Sequence, residues 1–232
     1  MSEEIIVGID LGTTTSAACV YNGGQYHHIK GPAGNIIVPS VVGWDKDTQS
    51  IIAGHLAHNK AKAQPEDYVY EVKRSMGTDK KFDLGPDSLS AAEVSAHMLR
   101  HIKLYCEAHY DETIKRAVIT VPPNFNSNQR QDTKRAAELA GLTVERIIAE
   151  PTAAVLTYCM ENTEKDDFVK VMIYDLGGGT FDVSVGEYHT GVLDIKGVAG
   201  DNELGGSDFD KLLADVFFDK LMEAYGIDFR KD

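Results

Sequence analysis

The sequence of 232 residues predicts an α/β fold in which two related lobes meet across a phosphate site. Three observations carry that expectation. The first is Asp175-Leu176-Gly177-Gly178-Gly179-Thr180-Phe181-Asp182-Val183-Ser184, which follows an apolar run, Phe168 to Tyr174, that reads as a buried strand. An aspartate ending such a strand can face a metal, and glycines let backbone N–H groups approach a phosphate with no Cβ in the way. Phe181 to Tyr188 then reads as a returning strand. The second observation is a copy of this design 165 residues earlier: Ile5 to Ile9, then Asp10-Leu11-Gly12-Thr13-Thr14-Thr15-Ser16, then Ala17 to Tyr21. Asp10/Asp175, Leu11/Leu176, Gly12/Gly177 and Thr15/Thr180 coincide. The third is exclusion: no G-x-x-x-x-G-K-[ST] and no strand-to-helix G-x-G-x-x-G is present, so a nucleotide site here is of the hairpin type.

Composition bounds the rest. Charged residues make up 25% and hydrophobic ones 43%, as in an ordinary globular chain long enough for a sizeable core. A net charge of −13 argues against a nucleic-acid surface, and would suit a basic protein partner. Cys19, Cys106 and Cys159 lie far apart with no C-x-x-C, the usage of a reduced compartment. Met1-Ser2-Glu3-Glu4 is acidic and unlike a secretory signal, and no apolar run approaches the length of a membrane span. The expectation is a cytoplasmic protein with no membrane partner.

Along the chain, Gly23-Gly24 turns into a strand from Gln25 to Ile29. Pro39 to Trp44 and Ser50 to Ala53 read as strands, Trp44 as a packing residue, and His55 to Ala63 as a helix stopped by Pro65. Lys73-Arg74 in isolation reads as a solvated pair. Leu89 to Tyr110 is an amphipathic helix with a capping box, Ser90 and Glu93, and apolar residues at helical spacing. His97 and His101 stand at i and i+4 but lack a third ligand, so they read as ordinary histidines, as do His55 and His58. Lys115 to Val121 is a strand closed by Pro122-Pro123. A helix capped by Asn126 or Ser127 runs to Leu139 and stops at Gly141. Val144 to Ala149 is a strand, and Glu150-Pro151-Thr152-Ala153-Ala154 opens a helix in which Glu150 alone would serve only the dipole. The polar stretch Asn162 to Asp167 is the expected lobe boundary. Gly191 to Ala199 is a third strand of the second lobe. The turn Gly200 to Ser207 leads into a helix from Phe209 to Tyr225; its N–H groups read equally as a phosphate site or as a plain αL turn.

Taken together these motifs resemble the nucleotide-binding domain of the seventy-kilodalton heat-shock chaperones of the DnaK type, within the actin and sugar-kinase group. The matching strings are Ile9 to Thr14, Val121-Pro122 with Phe125-Asn126, Gln129-Arg130-Gln131, Ala140-Gly141-Leu142, Arg146-Ile147-Ile148 with Glu150 to Ala154, Asp175 to Asp182, and Gly200-Asp201 with Leu204-Gly205-Gly206. The resemblance implies an actin-like ATPase (ribonuclease-H-like) fold, with lobe I over residues 1–164, an upper subdomain inserted at about 39–95, and part of lobe II over 165–232. It implies ATP or ADP with Mg²⁺, and K⁺ by family. Asp10, Asp175 and Asp182 would hold the magnesium, largely through its waters. Gly12, Thr13, Thr14, Gly177, Gly178, Gly179, Thr180, Gly205 and Gly206 would cradle phosphates. Lys73 would position the attacking water, with Glu150, Asp175 and Thr180 as its catalytic companions. Pro122, Arg130 and Glu150 resemble a relay to a peptide-holding domain, and Arg146 an arginine met by a J-domain cochaperone. A nucleotide exchange factor is the other expected partner, and peptide clients would bind only through a C-terminal domain outside this sequence.

Three departures accompany the resemblance. The chain from Gly77 to Leu89 is short for the family, so a hairpin is expected to be missing there. Ala149 stands where the family usually carries asparagine. The chain ends before the family's adenine-contacting segments, so weak nucleotide affinity and little turnover are expected of it. An actin-group filament or scaffold protein and a sugar kinase are the alternatives; the Glu-Pro-Thr-Ala-Ala string disfavours the first, and no substrate aspartate base can be placed for the second.

Overall fold

A computed structural model describes residues 4–22, 24–162 and 168–231. β1 (Ile6–Leu11), β2 (Thr15–Asn22) and β3 (Gln25–His28) form an antiparallel meander. The chain then runs through β4 (Val38–Pro39), β5 (Val42–Asp45), β6 (Ser50–Ala53), α1 (His55–Ala61) and β7 (Tyr68–Val69). Next come β8 (Lys81–Leu84), β9 (Asp87–Ser90), α2 (Ala91–Tyr110), β10 (Arg116–Val121), α3 (Ser127–Leu139), β11 (Thr143–Ala149) and α4 (Glu150–Asn162). β12 (Phe168–Leu176), β13 (Phe181–His189), β14 (Val192–Asp201) and α5 (Gly206–Tyr225) complete it.

The large sheet has the order β11-β10-β1-β2-β3, with β4 pairing to β2; β1, β10 and β11 are parallel. β12-β13-β14 form a second antiparallel meander, and β6-β5-β7 and β8-β9 are small separate sheets. The two long meanders are register-matched copies. Val7↔Val20 through Leu11↔Ser16 in the first correspond, pair for pair and 165 residues on, to Met172↔Val185 through Leu176↔Phe181 in the second.

The main core lies between the large sheet and α2 with α3. Val94, Met98, Leu99 and Ile102 of α2 join Val7, Ile9, Ile119 and Val121 of the strands in one buried cluster. α2 begins at the expected capping box, though Leu89, expected to be helical, belongs to β9: Glu93 N–H donates to Ser90 Oγ at 3.3 Å, and Ser90 N–H donates to Glu93 Oε2 at 2.8 Å. Asn126 is the cap of α3 and makes the same reciprocal exchange with Gln129. Gly141, with φ +78°, lets the chain turn out of that helix.

Several expectations are corrected. Pro39 to Trp44 is not one strand: the chain leaves β4 at Ser40, whose N–H donates to Thr14 O and whose hydroxyl meets Ser16 Oγ at 2.8 Å, and β5 pairs elsewhere. A hairpin, β8-β9, does occupy the stretch from Gly77 to Leu89, because Gly85 (φ +63°) and Pro86 close a tight turn. α1 ends at Ala61, and Pro65 opens a single 3-10 turn beyond it. β12 is not buried on both faces, since Met172 is 68% and Tyr174 63% exposed. α5 starts at Gly206, earlier than expected. The proposed boundary at 162–167 falls almost wholly outside the described residues.

Two measurements check this packing. Ile102→Ala, at a fully buried site, is expected to cost about 2–5 kcal/mol in urea unfolding, and Leu104→Ala, exposed on the same helix, within roughly 0.5 kcal/mol. The Ser90 hydrogen bonds hold the Glu93 carboxyl below its ordinary range. The stabilisation it lends is therefore complete above the unfolded pKa and lost as pH falls through the lower folded one, so the stability gap between the parent chain and Glu93→Gln should close in acid.

Candidate phosphate and cation site

The tips of the two copied hairpins meet. A Cβ added to Gly178 would lie 2.3 Å from Thr14 Cγ2, and one on Gly179 would lie 2.2 Å from Thr13 Cγ2. One on Gly205 would sit 2.4 Å from the Gly178 carbonyl carbon, so the start of α5 closes on the same tip. Carbon atoms cannot approach so closely, and glycine is obligatory at all three positions for that steric reason.

The contact is fastened by hydrogen bonds. Gly206 N–H donates to Gly177 O at 3.0 Å and Ser207 N–H to Gly178 O at 2.9 Å. Gly205 N–H donates to Asp208 Oδ2 at 2.8 Å. The Gly206 and Ser207 N–H groups are thus engaged by the hairpin and that of Gly205 by Asp208, which corrects their reading as free phosphate donors; nor is Gly205 an αL residue, its backbone being extended. Arg74 spans the gap from the other side. Its Nε donates to Gly179 O at 3.0 Å, and its Nη1 and Nη2 take both oxygens of Asp208 at 3.1 and 2.5 Å. Sequence reasoning missed Arg74 and Asp208, because a Lys-Arg pair and a first-turn helix acid carry no signal of a partner 134 residues away.

Acidic groups gather beside the tips. Asp10, the last residue but one of β1, is open to solvent and accepts from Thr120 Oγ1 at 3.0 Å. Lys73 Nζ donates to Glu150 Oε1 at 2.5 Å, with both side chains largely buried. Burial pushes the Glu150 carboxyl up against the pull of Lys73, and the charges of Asp10 and Asp175 add to the rise. Burial, then Asp10, raises Asp175. Burial, then Asp175, pushes Asp182 up to about 6. Asp10, Asp175, Asp182, Glu150 and Lys73 are therefore linked electrostatically beside the tips, and Glu150 is a partner of Lys73 rather than only a helix-dipole acid. Asn124 Nδ2, also unforeseen, donates to Asp182 Oδ1 at 3.2 Å.

Thr13 Oγ1 and Asp182 Oδ2 are buried with no hydrogen-bond partner. A hydroxyl and a carboxylate oxygen left over at glycine-lined tips suit a phosphate and a hydrated cation, since each would otherwise carry a desolvation cost of about 1–3 kcal/mol. Among the described residues no three His, Cys, Asp or Glu side chains converge to ligate one metal directly, so an ion here would be held through water. Thr180 is buried at the second tip.

The expected coupling residues adjoin these groups: Glu150 is the partner of Lys73, and in the loop after Pro122 the Phe125 ring lies 5.8 Å from Lys73 Nζ while Asn124 meets Asp182. Pro122 is buried, and Arg130 holds the loop after it by donating to Phe125 O at 3.0 Å and Pro123 O at 3.2 Å. Arg146 is exposed on β11.

A mixed sheet repeated as two hairpins, with acidic strand ends facing one cleft, defines an actin-like ATPase domain. The family described as Hsp70 protein matches residues 6–84 and 81–232, and the chain belongs to it. That family comprises chaperones with an ATP-binding domain of this fold.

Two outcomes follow from the geometry. Lys73→Ala leaves Glu150 buried without its cation and is expected to cost about 3–5 kcal/mol in urea unfolding, much of it recovered in Lys73→Met with Glu150→Gln. Arg74→Ala should speed hydrogen exchange at the Gly206 and Ser207 amides by roughly 10- to 100-fold, as local opening no longer breaks the Arg74–Asp208 bonds.

Proposed function

We propose that this chain is ATPase-domain material of a DnaK-type chaperone that binds the phosphates of Mg-ATP between its two glycine tips. The observation that carries this is the meeting of Thr13 and Thr14 with Gly178 and Gly179 directly beside Asp10, Asp175, Asp182 and Lys73. Thr13, Thr14 and the Gly177 to Thr180 backbone would face the phosphates. Asp10, Asp175 and Asp182 would hold magnesium through its waters, and the bound ion would neutralise phosphate charge. Phosphoryl transfer to water needs positioning and charge compensation, and Lys73, held in place by Glu150, is the cation suited to orient the attacking water. Thr180 suits sensing of the γ-phosphate.

In the same reading, residues 1–164 form lobe I, with an upper subdomain at about 39–95, and 165–232 belong to lobe II. A longer parent hydrolyses ATP, with K⁺ as a further cofactor, to control peptide holding in a separate domain. A J-domain cochaperone and an exchange factor serve it in the cytoplasm, and Pro122 and Arg130 relay nucleotide state. No helix among the described residues is long and apolar enough to cross a membrane. Among the described residues the groups gathered at these tips suit phosphate and cation, and the chain's own ATP affinity is expected to be weak.

Calorimetric titration with ATP, with and without magnesium, tests this. Weak, magnesium-dependent binding abolished by Asp10→Asn or Asp175→Asn is expected. Tight binding would overturn the weak-affinity forecast, and binding that ignores both magnesium and the substitutions would overturn the site. Arg146→Asp in the parent is expected to remove J-domain stimulation of ATP turnover, read as phosphate release.

A further inference from the structure

Away from the cleft, α1, α2 and the β5-β6 hairpin line an open pocket of about 690 Å³, the size of a small-molecule site. Its apolar wall comes from Trp44, Ile52, Leu56 and Leu104. Leu56 and Leu104 are 53% and 59% exposed, which leaves their apolar surface available to an occupant. Two glycines shape the wall. A Cβ on Gly54 (φ +74°) would sit 2.6 Å from His101 Nε2, and one on Gly85 would sit 2.3 Å from the Trp44 ring.

The polar lining is divided between opposite charges. Arg100 on α2 and Asp87 on β9 both line the cavity, and among the described residues neither forms an ion pair. His97 stands in reach of both: its Nδ1 is 3.4 Å from Arg100 Nη1, and its titration responds to both charges. Arg100 gives one N–H to Leu139 O at 2.8 Å and turns another towards His97, so of its five donors others are left over. Burial holds His97 and His101 below the ordinary imidazole value, so near neutral pH they act as uncharged hydrogen-bonding groups. His55 Nε2 is buried with no partner in the same lining. An unpaired cation and an unpaired anion beside one apolar wall complement a ligand that carries both charges and an apolar body.

We propose that this cavity binds a free α-amino acid with a large apolar side chain, its carboxylate on Arg100, its ammonium on Asp87 and its side chain against Trp44, Ile52, Leu56 and Leu104. A simple apolar ligand would leave the two charges unused, and an anion alone would meet Asp87. A metal does not fit, since three suitable ligands do not converge among the described residues.

Trp44 is the chain's sole tryptophan, so its indole N–H gives a single reporter resonance in ¹⁵N NMR. Titration with L-phenylalanine is expected to shift it saturably, and 3-phenylpropionate or 2-phenylethylamine, each lacking one charge, to bind at least about tenfold more weakly. Arg100→Gln and Asp87→Asn, both at exposed positions that leave the spectrum otherwise folded, should each weaken L-phenylalanine by about tenfold. Absence of saturation, equal binding of either half-charged probe, or unaltered affinity in either variant would overturn the proposal.

Discussion

Everything in the cleft depends on two polypeptide turns approaching more closely than any side chain would permit. Where Gly178 faces Thr14, Gly179 faces Thr13 and Gly205 faces Gly178, a single methyl group would overlap atoms already in place. That contact converts two strand ends, each bearing an aspartate, into opposite walls of one crevice. Arg74 and Asp208 then hold it shut through a bidentate pair, which fixes orientation as well as distance.

The crevice stores electrostatic cost. Asp175, Asp182 and Glu150 are all driven upward, by burial first and then by a neighbouring aspartate, and Lys73 offsets part of this at each. Removing acids from water is unfavourable unless cations or donors compensate them. In the proposed reading a bound cation would compensate these acids, of which Asp10 is the exposed one.

The copied hairpins are alike in register and unlike in surroundings. Val7 and Ile9 are 0% and 1% exposed, and α2 and α3 share their core; their counterparts Met172 and Tyr174 are open. α4 covers the opposite face of the second meander, through Val155 and Cys159 against Tyr188. Identical strand pairing thus coexists with different burial, because hydrogen-bond register is set between neighbouring strands and burial by whatever layer lies above them.

Much was legible along the chain. The Asp-Leu-Gly repeat announced two hairpins, the Ser90/Glu93 box and Gly141 marked helix ends, and glycine strings marked the hairpin tips, because each depends on neighbours within a few residues. The β8-β9 hairpin was missed because expectation rested on family length rather than on the Gly85-Pro86 turn within it.

By itself, then, the sequence determined the period of its strands and helices, the two acidic turns and the family they define. Only tertiary structure decided that Arg74 reaches Gly179, that Lys73 finds Glu150 77 residues on, that the α5 N–H groups serve the hairpin, and that His55, His97 and His101 line one cavity. The physical reason is range: turns and caps are written in local backbone geometry, whereas salt bridges and cavities depend on which distant surfaces burial brings into contact.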